Sequence, residues 1–130
     1  MTQQGGCLCG AVRWKAEGEP INVRCCHCTL CQKATAAPFW ARAVYAQNKV
    51  TVEGHVEQFP TSDHISRVFC RECGVRLFAK RGDGSIVGIA LSSFDDRAAY
   101  APTEHIFVSS KVDWLKLDDG LPQHDERPPL

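Results

Sequence analysis

The sequence predicts a mainly β domain of antiparallel strands with short helical turns, stapled by bound metal. Three observations predict it. Short runs that alternate apolar and polar residues recur along the 130 residues, with turn residues between them. Helix signals are poor by comparison. Eight cysteines fall in three groups, and each has another within three residues. Two thiolates on one tight turn suit a metal ion, whereas disulfides generally join distant segments.

In chain order, the first strand-like run is 10–17 (GAVRWKAE), where Val12, Trp14 and Ala16 share one face and Arg13, Lys15 and Glu17 the other. Further runs follow at 39–46, 50–53, 55–59, 65–69, 75–80, 85–91 and 104–108. Gly54 and the Gly82-Asp83-Gly84 stretch read as hairpin turns between pairs of these runs. Short helical turns are expected at 29–34 and 94–100. The terminal stretch 118–130 has few large apolar residues and three prolines, and is expected to be a loose tail. One domain of 3–117 accounts for the remainder.

Composition narrows the function. Fifteen Lys and Arg balance fifteen Asp and Glu, giving a formal net charge of +0. A dedicated nucleic-acid binder would be strongly basic, and an acidic disordered chain strongly negative. No run approaches the ~18 apolar residues of a membrane span, and the N-terminus lacks the apolar stretch of about 7–15 residues of a secretory signal. A reducing, cytoplasmic compartment is therefore expected, where clustered cysteines bind metal. All-thiolate ligands select zinc or, as the alternative, an iron–sulfur cluster.

Two partitions of the cysteines are open. A zinc-ribbon division pairs Cys28-x-x-Cys31 with Cys70-x-x-Cys73, but 38 residues separate the pairs, against the usual ~15–20. The other joins Cys7-x-Cys9 to Cys70-x-x-Cys73 in a four-thiolate site and leaves Cys26-x-Cys28-x-x-Cys31 with one open position.

The motifs Gly6-Cys7-Leu8-Cys9-Gly10, Cys26-His27-Cys28-Thr29-Leu30-Cys31 and Phe69-Cys70-Arg71-Glu72-Cys73-Gly74, with His105-Ile106-Phe107-Val108 and Trp114 later in the chain, resemble the glutathione-dependent formaldehyde-activating enzyme family, which includes centromere protein V. The resemblance covers roughly residues 3–117. It implies a β-tent holding two Zn²⁺ ions per chain: a structural one on Cys7, Cys9, Cys70 and Cys73, and a catalytic one on Cys26, Cys28 and Cys31. It also implies a carbon–sulfur lyase acting on glutathione and formaldehyde. Gln32 and Ala36 stand where relatives often carry a basic residue and a glycine, and Cys25 lies outside the pattern as an expected spectator.

The chemistry of the residues is compatible with that implication. A closed tetrahedral zinc is structural, whereas catalysis needs an exchangeable position. Three thiolates leave an electron-rich ion, better suited to deprotonating a thiol than to activating water. An anionic thiol such as glutathione would favour a basic approach surface, for which Arg67, Arg71, Arg76, Lys80 and Arg81, flanked by Arg24 and Lys33, are candidates; each also reads as a solvated strand residue. His27 is a candidate general base whose side chain can equally point outward, and His105 reads as a core histidine. Phe39 and Trp40 can wall a pocket or fill the sheet core. A zinc-stapled module binding a protein partner, and a thiol redox or zinc-buffering protein, are the competing functions.

Overall fold

The computed structural model describes residues 1–130. Strands β1 (Thr2–Gly6), β2 (Arg13–Glu17) and β5 (Val50–Glu53) form a three-stranded antiparallel sheet in the order β1-β2-β5. The other seven are β3 (Asn22–Cys26), β4 (Trp40–Ala46), β6 (Val56–Pro60), β7 (Ile65–Cys70), β8 (Arg76–Arg81), β9 (Ile86–Ala90) and β10 (Glu104–Ile106). They run in the order β10-β3-β4-β9-β8-β7-β6. One helix, α1 (Thr29–Thr35), connects β3 to β4. The mainly β expectation holds. One pairing departs from antiparallel, because β10 returns after the whole sheet has been laid down and joins β3 in parallel.

Alternation builds the core. On β2, Trp14 and Ala16 are buried while Arg13, Lys15 and Glu17 are exposed, and they join Val12, Ala43, Tyr45, Leu77, Val87 and Ile89 in a cluster of 13 buried residues. Trp14 donates to Ser93 Oγ at 3.1 Å, which in turn donates to the Ala90 carbonyl at 2.7 Å. The indole also meets the Phe94 ring edge-on at 4.7 Å. A second, smaller cluster contains Cys26, Cys31, Trp40, Ala90 and Ile106.

Two strands were not visible in the residue pattern. β1 is TQQGG, with little intrinsic strand preference. It is held by pairing with β2 along its whole length, and Gly5 is required there because a Cβ would lie 2.0 Å from the Ser93 carbonyl oxygen. β3 reads as a ligand run but lies between β4 and β10, where four of its five residues are buried.

Three expectations are corrected. Gly54 does not close a hairpin, because β5 pairs with β2 and β6 with β7 in the other sheet, so the chain passes between sheets there. The helical turn placed at 94–100 lies earlier, as a single 3-10 turn at Leu91–Ser93; residues 94–100 form irregular turns. The segment 118–130 is not loose. The His105 and His124 N–H groups donate to the Pro122 and His105 carbonyls, and Phe107 and Val108 donate to Glu126 and His124. Backbone bonding to β10 and the residues after it, together with the His105–Asp119 and His124–Glu104 contacts, holds it rather than apolar burial. No helix is long and apolar enough to cross a membrane.

Candidate metal centres and the adjoining cavity

The Cys7–Cys9 turn precedes β2, and the Cys70–Cys73 turn joins β7 to β8. The fold brings the four sulfurs within 4.8 Å of one another. Gly74, at φ +75, closes the second turn in the left-handed region that a side chain would strain. The Val12 N–H donates to Cys7 Sγ at 3.3 Å, and the Glu72 and Cys73 N–H groups to Cys70 Sγ at 3.3 and 3.4 Å. These donors spread thiolate charge, as expected around a ligand sulfur. A tetrahedron of sulfurs about 2.3 Å from zinc has edges of about 3.8 Å. The Cys7–Cys9 and Cys9–Cys70 separations are 3.6 and 3.8 Å, so the residues fit the ion. The Val75 backbone N–H, foremost among its neighbours, lowers the Cys73 thiol to about 6.

The second cluster sits where β3 becomes α1. Cys26 ends the strand, Cys28 caps the helix and accepts the Cys31 N–H at 3.3 Å, and Cys31 lies in the first turn. Their sulfurs are also within 4.8 Å of one another, with Cys26 and Cys31 buried. Hydrogen bonds from Cys26 and then Cys31 hold the Cys28 thiol far below its ordinary range, while the same contact with Cys28 drives Cys26 up. Three sulfurs this close together can hold a divalent cation in place of their protons.

This cluster opens on a cavity of about 170 Å³. Trp40, Ile106 and Phe107 form apolar walls; Arg42, Arg67, Arg81 and Arg127 also line it. Arg67 is only 6% exposed, its guanidinium carbon lies 5.1 Å from the Trp40 ring centroid, and its Nη2 donates to Cys31 Sγ at 3.4 Å. The expectation of a solvated strand residue therefore fails for Arg67. It holds for Arg76 and Lys80, which are exposed on β8, while Arg71 is exposed in the Cys70–Cys73 turn rather than on a strand. Arg24 is buried too, donating through Nε to Glu104 and through Nη2 to the Pro129 carbonyl, both at 2.7 Å. Arg42 and Arg127 carried no sequence signal, since only the pairing of β4 and the docking of the C-terminal segment bring them to the cavity.

His27 does not point outward. It is fully buried, and its Nε2 lies 2.8 Å from His105 Nδ1, while His105 Nε2 lies 2.7 Å from Asp119 Oδ2. The Asp119 carboxylate can only accept, so His105 Nε2 carries a proton towards it, and the second His105 nitrogen faces His27. Burial and then His105 hold His27 down at about 4, so the ring is neutral near pH 7. Neither histidine lines the cavity. Trp40 lines it and Phe39 does not, stacking instead on His27 at 5.2 Å. Cys25, one residue from Cys26 and so on the other face of β3, is buried, and burial first of all raises its thiol to about 11.

The molecule is thus a mainly β protein with one four-thiol cluster at its margin and one three-thiol cluster facing a cavity. The model of the glutathione-dependent formaldehyde-activating enzyme family matches residues 2–110, and the chain belongs to that family. A protein of Schizosaccharomyces pombe (strain 972 / ATCC 24843) named as an uncharacterized lyase is 33% identical over 75 residues, 58% of this chain and 55% of its own. The match therefore spans about half the length of that curated relative. The crystal structure of a Rhodobacter sphaeroides protein shares the fold, with a TM-score of 0.56, 24% identity, and coverage of 76% of this chain and 97% of that one.

Proposed function

We propose that the protein is a zinc-dependent carbon–sulfur lyase that adds a thiol to an aldehyde and reverses that addition, with glutathione and formaldehyde as the pair that the family name supplies. The observation that carries this is the three-thiol cluster opening on a cavity while the four-thiol cluster is complete in itself. In this assignment Cys7, Cys9, Cys70 and Cys73 hold a structural Zn²⁺, and Cys26, Cys28 and Cys31 hold a catalytic one, two per chain. The name of the Schizosaccharomyces pombe relative also points to a lyase. A reducing cytoplasm would keep the eight free thiols available.

Zinc, when bound, supplies the Lewis acidity that makes a thiol a thiolate at neutral pH. The chain's own residues do the rest. Cys28 caps α1 and Cys31 follows in its first turn, so a short rigid helix fixes two of the three ligands. The Arg67 guanidinium offsets charge on Cys31. Trp40, Ile106 and Phe107 limit water around the reacting carbon. In the addition, the sulfur lone pair forms the carbon–sulfur bond, the carbonyl π pair moves to oxygen, and the proton lost by the thiol ends on that oxygen. No histidine or carboxylate lines the cavity, which agrees with a thiol that needs no side-chain base.

The test is formation of the hydroxymethyl thioether from ¹³C-formaldehyde and glutathione, followed by NMR. Zinc-loaded protein is expected to accelerate adduct formation and breakdown, and Cys28→Ala to abolish the acceleration. A fully loaded protein no faster than buffer with every thiol–aldehyde pair would overturn the proposal.

A further inference from the structure

Four arginines line the cavity beside the three-thiol cluster, and no aspartate or glutamate does. Two of the four, Arg42 and Arg67, are more than nine-tenths buried. Arg42 Nη1 donates to Asn22 Oδ1 at 3.2 Å. Arg67 is less well satisfied: Nη2 reaches Cys31 Sγ, but its buried Nε and Nη1 have no partner. A guanidinium presents its donors as a planar fork that matches a carboxylate bidentately. Buried donors without partners are rare in native proteins, and they mark places where something else completes the bonding.

Charge points the same way. Three thiolates with one divalent ion carry a formal −1, and Arg42 and Arg67 together carry +2. A bound substrate thiolate takes up that excess, and Arg81 and Arg127 leave +2 for a further anionic group of the substrate. Arg81 and the exposed Arg127 stand among the lining residues with the same sign, so an approaching anion meets attraction.

We propose that Arg67, supported by Arg42, is the specificity-determining residue of this cavity, which binds a carboxylate of the substrate thiol and reads its position relative to sulfur. This rests on the cavity being the thiol–aldehyde site. Arg67 fixes the acid end while the sulfur is directed to the cysteine cluster, and Arg81 and Arg127 steer the anion inward.

Calorimetric titration of the zinc-loaded full chain with four probes separates the two claims: 3-mercaptopropionate, 3-mercaptopropionamide, propionate and propionamide. The acids are expected to bind at least about tenfold tighter than the matching amides. Arg67→Met is expected to bring that ratio near one while two zinc ions are retained. Arg67→Lys, which keeps the charge and loses the fork, stands in should Arg67→Met not fold, and is expected to reduce the ratio at least threefold. A wild-type acid-to-amide ratio near one overturns this role of Arg67. So does an unchanged ratio in a folded variant, which would leave Arg67 only as the counter-charge of Cys31. The thiol-to-non-thiol ratio reports separately on the catalytic proposal: if thiols gain nothing over propionate and propionamide, that proposal fails while the acid preference still decides the role of Arg67.

Discussion

The two cysteine clusters use the same ligand atom in opposite surroundings. At the margin, Cys9 is exposed and Cys7 and Cys73 are half-buried, and the sulfurs are met by backbone N–H groups of their own turns. Cys70 is part of the main core, with 0% exposure, and Cys7 and Cys73 pack against it from the edge. In the interior, Cys26 and Cys31 are buried and the nearest compensating charge comes from a distant strand, through Arg67. A local turn can stabilise thiolate charge wherever water helps, whereas a buried cluster with a free position needs cations brought in by the tertiary fold. The first arrangement suits a staple between early and late segments; the second suits a ligand that arrives with charge.

The largest effect expected on that contrast is from paired ligand substitutions. Cys70→Ala removes a core residue and a ligand whose metal binding is coupled to folding by roughly 10 kcal/mol, so the cooperative melt should disappear and both metals be lost. Cys28→Ala should keep a cooperative melt within about 1–3 kcal/mol of wild type and lose one metal equivalent. Thermal unfolding with metal analysis reads both, and identical behaviour would erase the distinction between the clusters.

Chelator challenge sharpens it next. One equivalent, from the cluster with an open position, should leave at least about tenfold faster than the other and without loss of the far-ultraviolet dichroism signal. A single phase accompanied by unfolding would mean that both sites are equally closed.

His105→Leu should cost about 1–3 kcal/mol, because His27 Nε2 loses its partner in a fully buried position. Since His27 lies between Cys26 and Cys28, the substitution should speed metal loss from the three-thiol cluster alone. Equal acceleration at both clusters would count against that coupling.

Acid should then release the C-terminal segment before it disturbs the marginal cluster's turns. The His105 hydrogen bond holds Asp119 below the ordinary carboxylate range; for Glu104 burial pushes up, and Arg24 and His124 outweigh it. Groups whose folded pKa is lowered contribute stability above their unfolded pKa of about 4 and lose it as pH falls through the lower folded value. Docking of 118–130 should therefore hold at pH 5 and weaken progressively below about pH 4, as read by limited proteolysis with an acid-active protease. Unchanged protection at pH 3 would contradict the ion-pair account.

The smallest change is a gain. Ala36 closes α1 in the left-handed region at φ 52, which costs a residue with a Cβ about 1–2 kcal/mol. Part of that is recovered by glycine, which orders at greater entropic cost, so Ala36→Gly should stabilise by about 0.5–1 kcal/mol in urea titration. The expectation of glycine at this position, drawn from family resemblance, thus has a backbone reason.

The sequence by itself determined the mainly β class, the β8–β9 hairpin at Gly82-Asp83-Gly84 and the ligand motifs, because alternation, turn residues and cysteine spacing are local patterns; at Gly54 the turn signal marks a passage between sheets instead. It did not show β1, whose TQQGG stretch becomes a strand only against β2. Nor did it show that 118–130 docks on β10, since backbone hydrogen bonds leave no apolar signature. The same holds at the cavity. Cys26, Cys28 and Cys31 are legible from spacing and Arg67 and Arg81 as members of a basic run, but that run does not separate them from the solvated Arg71, Arg76 and Lys80, and Arg42 and Arg127 come from other segments with no signal at all. Which charges a buried site gathers depends on strand register and chain return, and these exist only once the sheet has closed around it.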